Sequence, residues 1–133
     1  VTRVVELVAK LGREDRTLLT AGNGEIMQSL REALARHSVH AATSASVPDV
    51  VAVVRSALEG SPPPAAVEAL QIPSRFADRD LVTEALLSHC QKHAIQVHVW
   101  TINEGSEMKR LLELGVDGLI TDFPGRLVQL LAA

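Results

Sequence analysis

The stretch VHVWTINEGSEMKRLLELGVDGLITDFP, Val97 to Pro124, decides the fold, because it holds two strand-like runs with one helical segment between them. QVHVWT (Gln96 to Thr101) is rich in β-branched residues and alternates as a strand does. EMKRLLEL reads as a helix that Gly115 ends, GLIT as a second strand, and a final helix follows Pro124. The connection between the two runs is too long for a hairpin. It therefore predicts parallel strands joined by a crossover helix.

The same alternation continues toward the amino terminus. A helix from about Asp80 to His93 precedes Gln96, and a loop at Pro73, Ser74, Arg75 and Phe76 joins it to a strand at EALQI (Glu68 to Ile72). Gly60 and the triplet Pro62 to Pro64 break the helix before that, VVAVVRSALEG, whose start carries Ser46 and Asp49 at capping-box spacing with Pro48 in the first turn. VHAAT (Val39 to Thr43) is a short strand candidate. Asn23 is placed to cap a helix with the stripe Ile26, Leu30, Ala33 and Leu34, and TLLTA (Thr17 to Ala21) reads as a buried strand before it. The chain opens on a helix in which Val4, Leu7, Val8 and Leu11 recur, with Thr2 placed to cap it and Gly12 to end it.

Five strand and helix units after an opening helix place the chain in the α/β class. An open doubly wound sheet and part of an eightfold barrel both fit that order. No GxGxxG follows any strand, so a nucleotide-binding open sheet lacks its main support. Pattern alone leaves the two architectures near even.

Composition removes several functions. The 133 residues have a net charge of -3 and only 13 Lys and Arg, spread along the chain, so no basic stripe awaits nucleic acid. Aromatics make up 2%, too few for the stacking platforms of a single-strand binder. No apolar run reaches the length of a membrane span, and VTRVVELVAKLG at the front is interrupted by charges where a signal peptide is apolar. A cytoplasmic location is favoured, although the start at Val1 rather than Met fits an excised piece as well as an unusual start. The single cysteine, Cys90, shares a helical stripe with Val82 and Leu86 and is expected to be a packed, unreactive thiol.

VHVWTIN followed by GVDGLITDFP resembles the last two βα units of the glycerophosphodiester phosphodiesterase family, and the likeness runs back through ALQIP, ATSAS and DRTLLTA. It implies a TIM-type (β/α)8 barrel in which residues 1 to 133 form a partial domain with strands four to eight, TLLTA being the fourth and GLIT the eighth. A full barrel takes about 250 residues, so strands one to three are absent from this sequence. The family hydrolyses glycerophosphodiesters to sn-glycerol 3-phosphate and an alcohol with a divalent metal, magnesium or calcium. Its His-Arg-Gly motif, acidic metal ligands, second histidine and Glu-x-Lys pair belong mainly to the first three strands. The resemblance thus implies no catalytic residue and no metal ligand here, and an inactive segment.

By the same resemblance Trp100 walls the substrate pocket at the carboxyl end of the seventh strand, against the alternative of a structural core tryptophan. Alternation puts His98, Trp100 and Ile102 on one face, where His98 reads as a hydrogen-bonded interior histidine. Gln71 and Arg75 follow the sixth strand at the catalytic end, and Arg75 is either a phosphate contact or a solvated loop residue. Asn103 reads as a helix cap, Thr121 and Asp122 as rim residues with Asp122 bonding backbone N–H groups near Pro124, and Asp117 as a turn residue at the opposite rim. His89 and His93 have a metal-like spacing but lie on an outer helix with no acidic residue in the expected place. Two other functions stay open: a noncatalytic half-barrel that self-associates or binds a partner through bare edges at TLLTA and GLIT, and an unrelated phosphate-binding barrel such as an aldolase or epimerase, which would need a strand-end lysine.

Overall fold

The structure is a computed structural model that describes residues 1 to 133. Helix α1 (Thr2–Leu11) leads through a turn at Glu14–Arg16 to strand β1 (Leu18–Leu19) and helix α2 (Gly24–Arg36). Strand β2 (Ala42–Thr43), helix α3 (Val47–Glu59) and strand β3 (Ala69–Pro73) follow. A small hairpin, β4 (Arg75–Phe76) and β5 (Arg79–Asp80), precedes helix α4 (Glu84–Lys92). Strand β6 (Gln96–Trp100), helix α5 (Gly105–Leu114), strand β7 (Gly118–Leu119) and helix α6 (Pro124–Ala132) complete the chain.

Strand β1 pairs with β2, and β3 pairs with β6 and β6 with β7, all parallel. A single parallel bridge, Ser44 to Ala69, joins the two sets, so five strands run side by side in chain order. That order with helices in every connection is the barrel arrangement rather than a doubly wound sheet, whose strand order reverses.

Burial alternates along β6 and, from Leu70 onward, along β3, with Ala69 at the start of β3 buried as well. Leu70, Ile72, Val97 and Val99 point into a core with Val53 of α3, Leu86 and Leu87 of α4, and Met108 and Leu111 of α5. Each such side chain taken out of water contributes about 1.5–3 kcal/mol, which makes the β3–β6 pair the anchor of the fold. Gln71, Gln96, His98 and Trp100, at the intervening positions, lie outside that core on the opposite, inner face. A second cluster joins Val5 and Val8 of α1 to Met27, Leu30, Ala33 and Leu34 of α2, with Val39 and Ala41 beneath.

Caps fix the helix starts. Asn23 accepts from the N–H groups of Glu25 and Ile26, and Ser46 with Asp49 forms the reciprocal capping box. Gly12, Gly60 and Gly115 end α1, α3 and α5 in the left-handed region.

Several boundaries depart from expectation. The helix expected from Asp80 starts at Glu84, because the Thr83 hydroxyl accepts from Leu86 N–H and sets the first turn there. The loop expected at Pro73 to Phe76 is instead the start of the β4–β5 hairpin, closed by Ala77 and Asp78, both at positive φ. VHAAT supplies only Ala42 and Thr43 as strand, since Val39 and Ala41 are drawn into the second cluster. Val1, not Thr2, occupies the cap position of α1, without a side-chain bond. The buried stripe of α1 is Val5 and Val8, leaving Val4, Leu7 and Leu11 outside, and in α2 Met27 takes the buried place expected of Ile26. Ile102 is buried rather than on the inner face with Trp100, because regular pairing stops at Trp100 and Ile102 N–H turns to the Ile120 carbonyl.

Candidate functional site

Parallel strands present their carboxyl ends together, and in a barrel that rim is where substrate is met. Here the rim comprises Pro73 to Phe76 after β3, Trp100 to Asn103 after β6 and Ile120 to Phe123 after β7. Trp100 closes β6 on the inner face and is exposed, paired in register with Pro73. The Trp100–Thr101 peptide is cis.

One layer below, Gln71, His98 and Gly118 lie side by side across three strands; Gln71, expected to follow its strand, is instead the middle residue of β3, because its backbone pairs in register with His98. His98 Nε2 is 3.1 Å from Gln96 Oε1 on the same face. Gly118 makes room for the imidazole: a Cβ there would lie 3.0 Å from His98 Cδ2. The inner face below Trp100 is thus polar and half-buried, with no ion pair.

Asn103, Thr121 and Asp122 are hydrogen-bonded to one another. Thr121 Oγ1 donates to Asn103 Oδ1 at 3.1 Å, Asp122 N–H donates to the same oxygen at 3.0 Å, and Asn103 Nδ2 donates to Asp122 Oδ2 at 2.9 Å. Arg126 of α6 donates to the Asn103 carbonyl and lies over the Phe123 ring, 4.9 Å from its centre. Two expectations are corrected here. Asn103 does not cap α5, whose cap position falls to Glu104 without a side-chain bond; the Asn103 side chain reaches across to the next rim loop instead. Asp122 bonds the Asn103 amide rather than backbone N–H groups near Pro124, a task that Thr121 Oγ1 performs for Phe123 N–H at 3.0 Å.

Arg75 is turned into its own hairpin, 3.4 Å from Asp80 Oδ1 and donating to the Asp78 carbonyl at 2.9 Å. Its charge also helps the Arg110 guanidinium, the principal partner, hold the Glu107 carboxyl below its ordinary range. Asp117, at the opposite rim, accepts from Val97 N–H at 2.8 Å and so ties the start of β7 to β6. Cys90 is buried beside Val82 and Leu86, and burial, with the nearby Asp117 charge, pushes its thiol up to about 11.

His89 of α4 and His93, which caps its carboxyl end, have ring centres 4.8 Å apart, and His89 Nε2 lies 2.9 Å from Ser56 Oγ of α3. Burial first, then the neighbouring His93 and Lys92 charges, lowers the His89 pKa. No three His, Cys, Asp or Glu side chains converge anywhere. The donor set of this chain therefore does not fit a metal centre by itself. A cavity of about 380 Å³ lies at the amino-terminal ends of β6 and β7 and is lined by Gln91, Ile95 and Leu114 among others, away from the Trp100 rim.

Sequence patterning did not bring out Phe76, Ile120 and Phe123, which are exposed on the same rim as Trp100. The available signal was scarcity: the chain has one Trp, two Phe and no Tyr, and all three aromatics stand here.

A family model described as the glycerophosphoryl diester phosphodiesterase family matches residues 1–126. The Bacillus subtilis (strain 168) protein YqiK is 30% identical over 129 residues, which cover 97% of this chain and 49% of that protein. Lysophospholipase D GDPD1 of Homo sapiens is 40% identical over 52 residues, 39% of this chain and 17% of its own. The crystal structure of glycerophosphodiester phosphodiesterase from Agrobacterium tumefaciens str. C58 superposes with a TM-score of 0.69 at 12% identity, covering 99% of this chain and 52% of that one. That likeness identifies the fold as part of a TIM-type barrel. The chain spans about half the length of these relatives where it matches from end to end. With the family model running over nearly all of its residues, the chain belongs to the glycerophosphoryl diester phosphodiesterase family.

Proposed function

We propose that residues 1 to 133 act as strands four to eight of a metal-dependent glycerophosphodiester phosphodiesterase barrel, releasing sn-glycerol 3-phosphate and an alcohol. In this role the chain supplies the substrate wall rather than the reacting groups. The observation that carries the reading is Trp100, exposed on the inner face at the carboxyl end of β6. An aromatic face there shields one side of a bound diester from water, and Gln71 below it offers a neutral amide to a hydroxyl or phosphate oxygen. Asn103, Thr121 and Asp122 act as positioning residues that hold the loop following Trp100 against the loop following β7. Arg75 contributes to phosphate binding only after leaving Asp80. Magnesium or calcium would be held by side chains of the first three strands, as the family resemblance implies.

The test is the reading frame upstream of Val1 and the polypeptide it encodes. A His-Arg-Gly motif upstream, and release of glycerol 3-phosphate from glycerophosphocholine that falls at least tenfold in Trp100→Ala, are expected. A frame that opens at Val1 would contradict the proposal.

A second reading has its own observation. Strands β1 and β7 end the sheet without further partners, and Val4, Leu7 and Leu11 leave an apolar stripe exposed on α1. Bare parallel edges invite association. A noncatalytic module that pairs through them would sediment as a discrete oligomer, whereas a monomer that melts cooperatively would count against it.

A further inference from the structure

Every aromatic residue of this chain is at one rim and none is in the core. Phe76 is 72% exposed, Trp100 43% and Phe123 50%, and Ile120 beside them is 41% exposed. Phe76 follows β3, Trp100 ends β6, and Ile120 and Phe123 follow β7, so all four stand at the carboxyl ends of three neighbouring strands. Leaving large aromatics in water while Val, Leu and Met fill the core is costly unless the rim meets something apolar.

We propose that this rim docks on a lipid surface, with Phe76 at the hairpin and Phe123 before α6 entering the interfacial region around the mouth of the barrel. The proposal rests on the reading above only in taking that mouth as the substrate opening. Three observations favour lipid over a protein partner. Apolar rings stand beside long cationic side chains, the combination found on faces that lie in a lipid interface: Arg75 precedes Phe76, Arg79 pairs with it across the hairpin, and Arg126 stacks on Phe123. The patch lies at the carboxyl ends of β3, β6 and β7, so a protein seated there would block the substrate opening that a lipid surface would instead supply. The local charges cancel, Arg75 against Asp80 and Arg110 against Glu107, which matches a zwitterionic surface better than an acidic partner.

Trp100 is the sole tryptophan and stands within the patch, so its emission reports docking directly. With phosphatidylcholine vesicles the emission is expected to move to shorter wavelength and the chain to cosediment, with little dependence on salt. Phe76→Ser and Phe123→Ser are each expected to weaken partitioning about tenfold, the size of one aromatic face returned to water. Phe76→Leu should stay within about threefold of the parent, since the effect follows apolar area. Both phenylalanines are exposed, and unchanged circular dichroism of the variants separates lost docking from lost fold. No response to vesicles, a response indifferent to both serine variants, or one that needs anionic lipid would overturn the proposal. A response to monomeric lysophosphatidylcholine without one to vesicles would also overturn it, in favour of a single-chain site. Water-soluble glycerophosphocholine, added alone, reports the diester site separately, so failure of docking leaves the phosphodiesterase reading standing or falling on its own.

Discussion

Replacing Asn103 tests whether two rim loops are held by one side chain. Asn103→Ala removes three hydrogen bonds, two accepted by Oδ1 and one donated by Nδ2. Each is worth about 0.5–1.5 kcal/mol when shielded, but Asp122 is exposed and water replaces part of the loss, so the net cost is about 1.5 kcal/mol. For a domain of this size that lowers the melting temperature by about 5 °C. Asn103→Asp is the sharper variant. It keeps an acceptor for Thr121 and for Asp122 N–H, yet sets a carboxylate where the amide nitrogen lay, 2.9 Å from Asp122 Oδ2. At neutral pH the two negative charges repel, and the variant is expected to be at least as unstable as Asn103→Ala. One carboxyl of the pair then has a folded pKa above its unfolded value, so its stabilising proton is present at low pH and lost as pH rises through that folded value. Urea melts across the acidic range, each referred to the parent at the same pH, should show Asn103→Asp recovering to within about 0.5 kcal/mol on protonation while Asn103→Ala does not. A pH-independent difference between the two variants would refute the bonded geometry.

Other expectations follow from the interior. Asp49 accepts from Ser46 N–H, Ser46 Oγ and Arg31 Nη2; burial raises its pKa, but those bonds outweigh burial and hold it below the ordinary carboxylate range. Asp49→Ala should cost about 2 kcal/mol at neutral pH, less after acidification, because the parent loses this contribution as pH falls through the depressed value; urea melts measure it. Cys90, with a thiol at about 11, should resist disulfide reagents at mildly alkaline pH until the chain unfolds, and rapid labelling of the folded chain would contradict its burial. Gly118→Ala should destabilise by about 1 kcal/mol, because the new Cβ meets His98 Cδ2 at 3.0 Å, and His98→Ala in the same chain should restore most of it in a double-mutant cycle.

How far the sequence could be read depended on whether a signal was local. The Asn23 cap and the Ser46–Asp49 box involve residues within one turn, and both are present as their spacing implies. The alternation of Val97, His98, Val99 and Trp100 placed tryptophan and histidine together on the inner face. Ile102 escaped because alternation holds only while the strand lasts, and its N–H answers to Ile120, eighteen residues away. Asn103 was legible as a rim residue but not as a cross-loop clamp, since its partners are on the next strand's loop. The helical stripe of α1 was shifted by one residue for a related reason: period fixes a face, while the neighbour, here α2, chooses which side of it is covered. The β4–β5 hairpin had no glycine or asparagine in its two turn positions, Ala77 and Asp78, and so lacked the strongest hairpin signal.

The division of labour proposed for the barrel, a substrate wall in this chain and reacting groups elsewhere, is tested most directly by incubating the pure 133-residue chain with glycerophosphocholine and either magnesium or calcium. No release of glycerol 3-phosphate above the uncatalysed background is expected. Appreciable turnover that tracks with the folded chain and survives repurification would contradict it, and would place the acid, base and metal ligands among the residues of strands β1 to β7 after all.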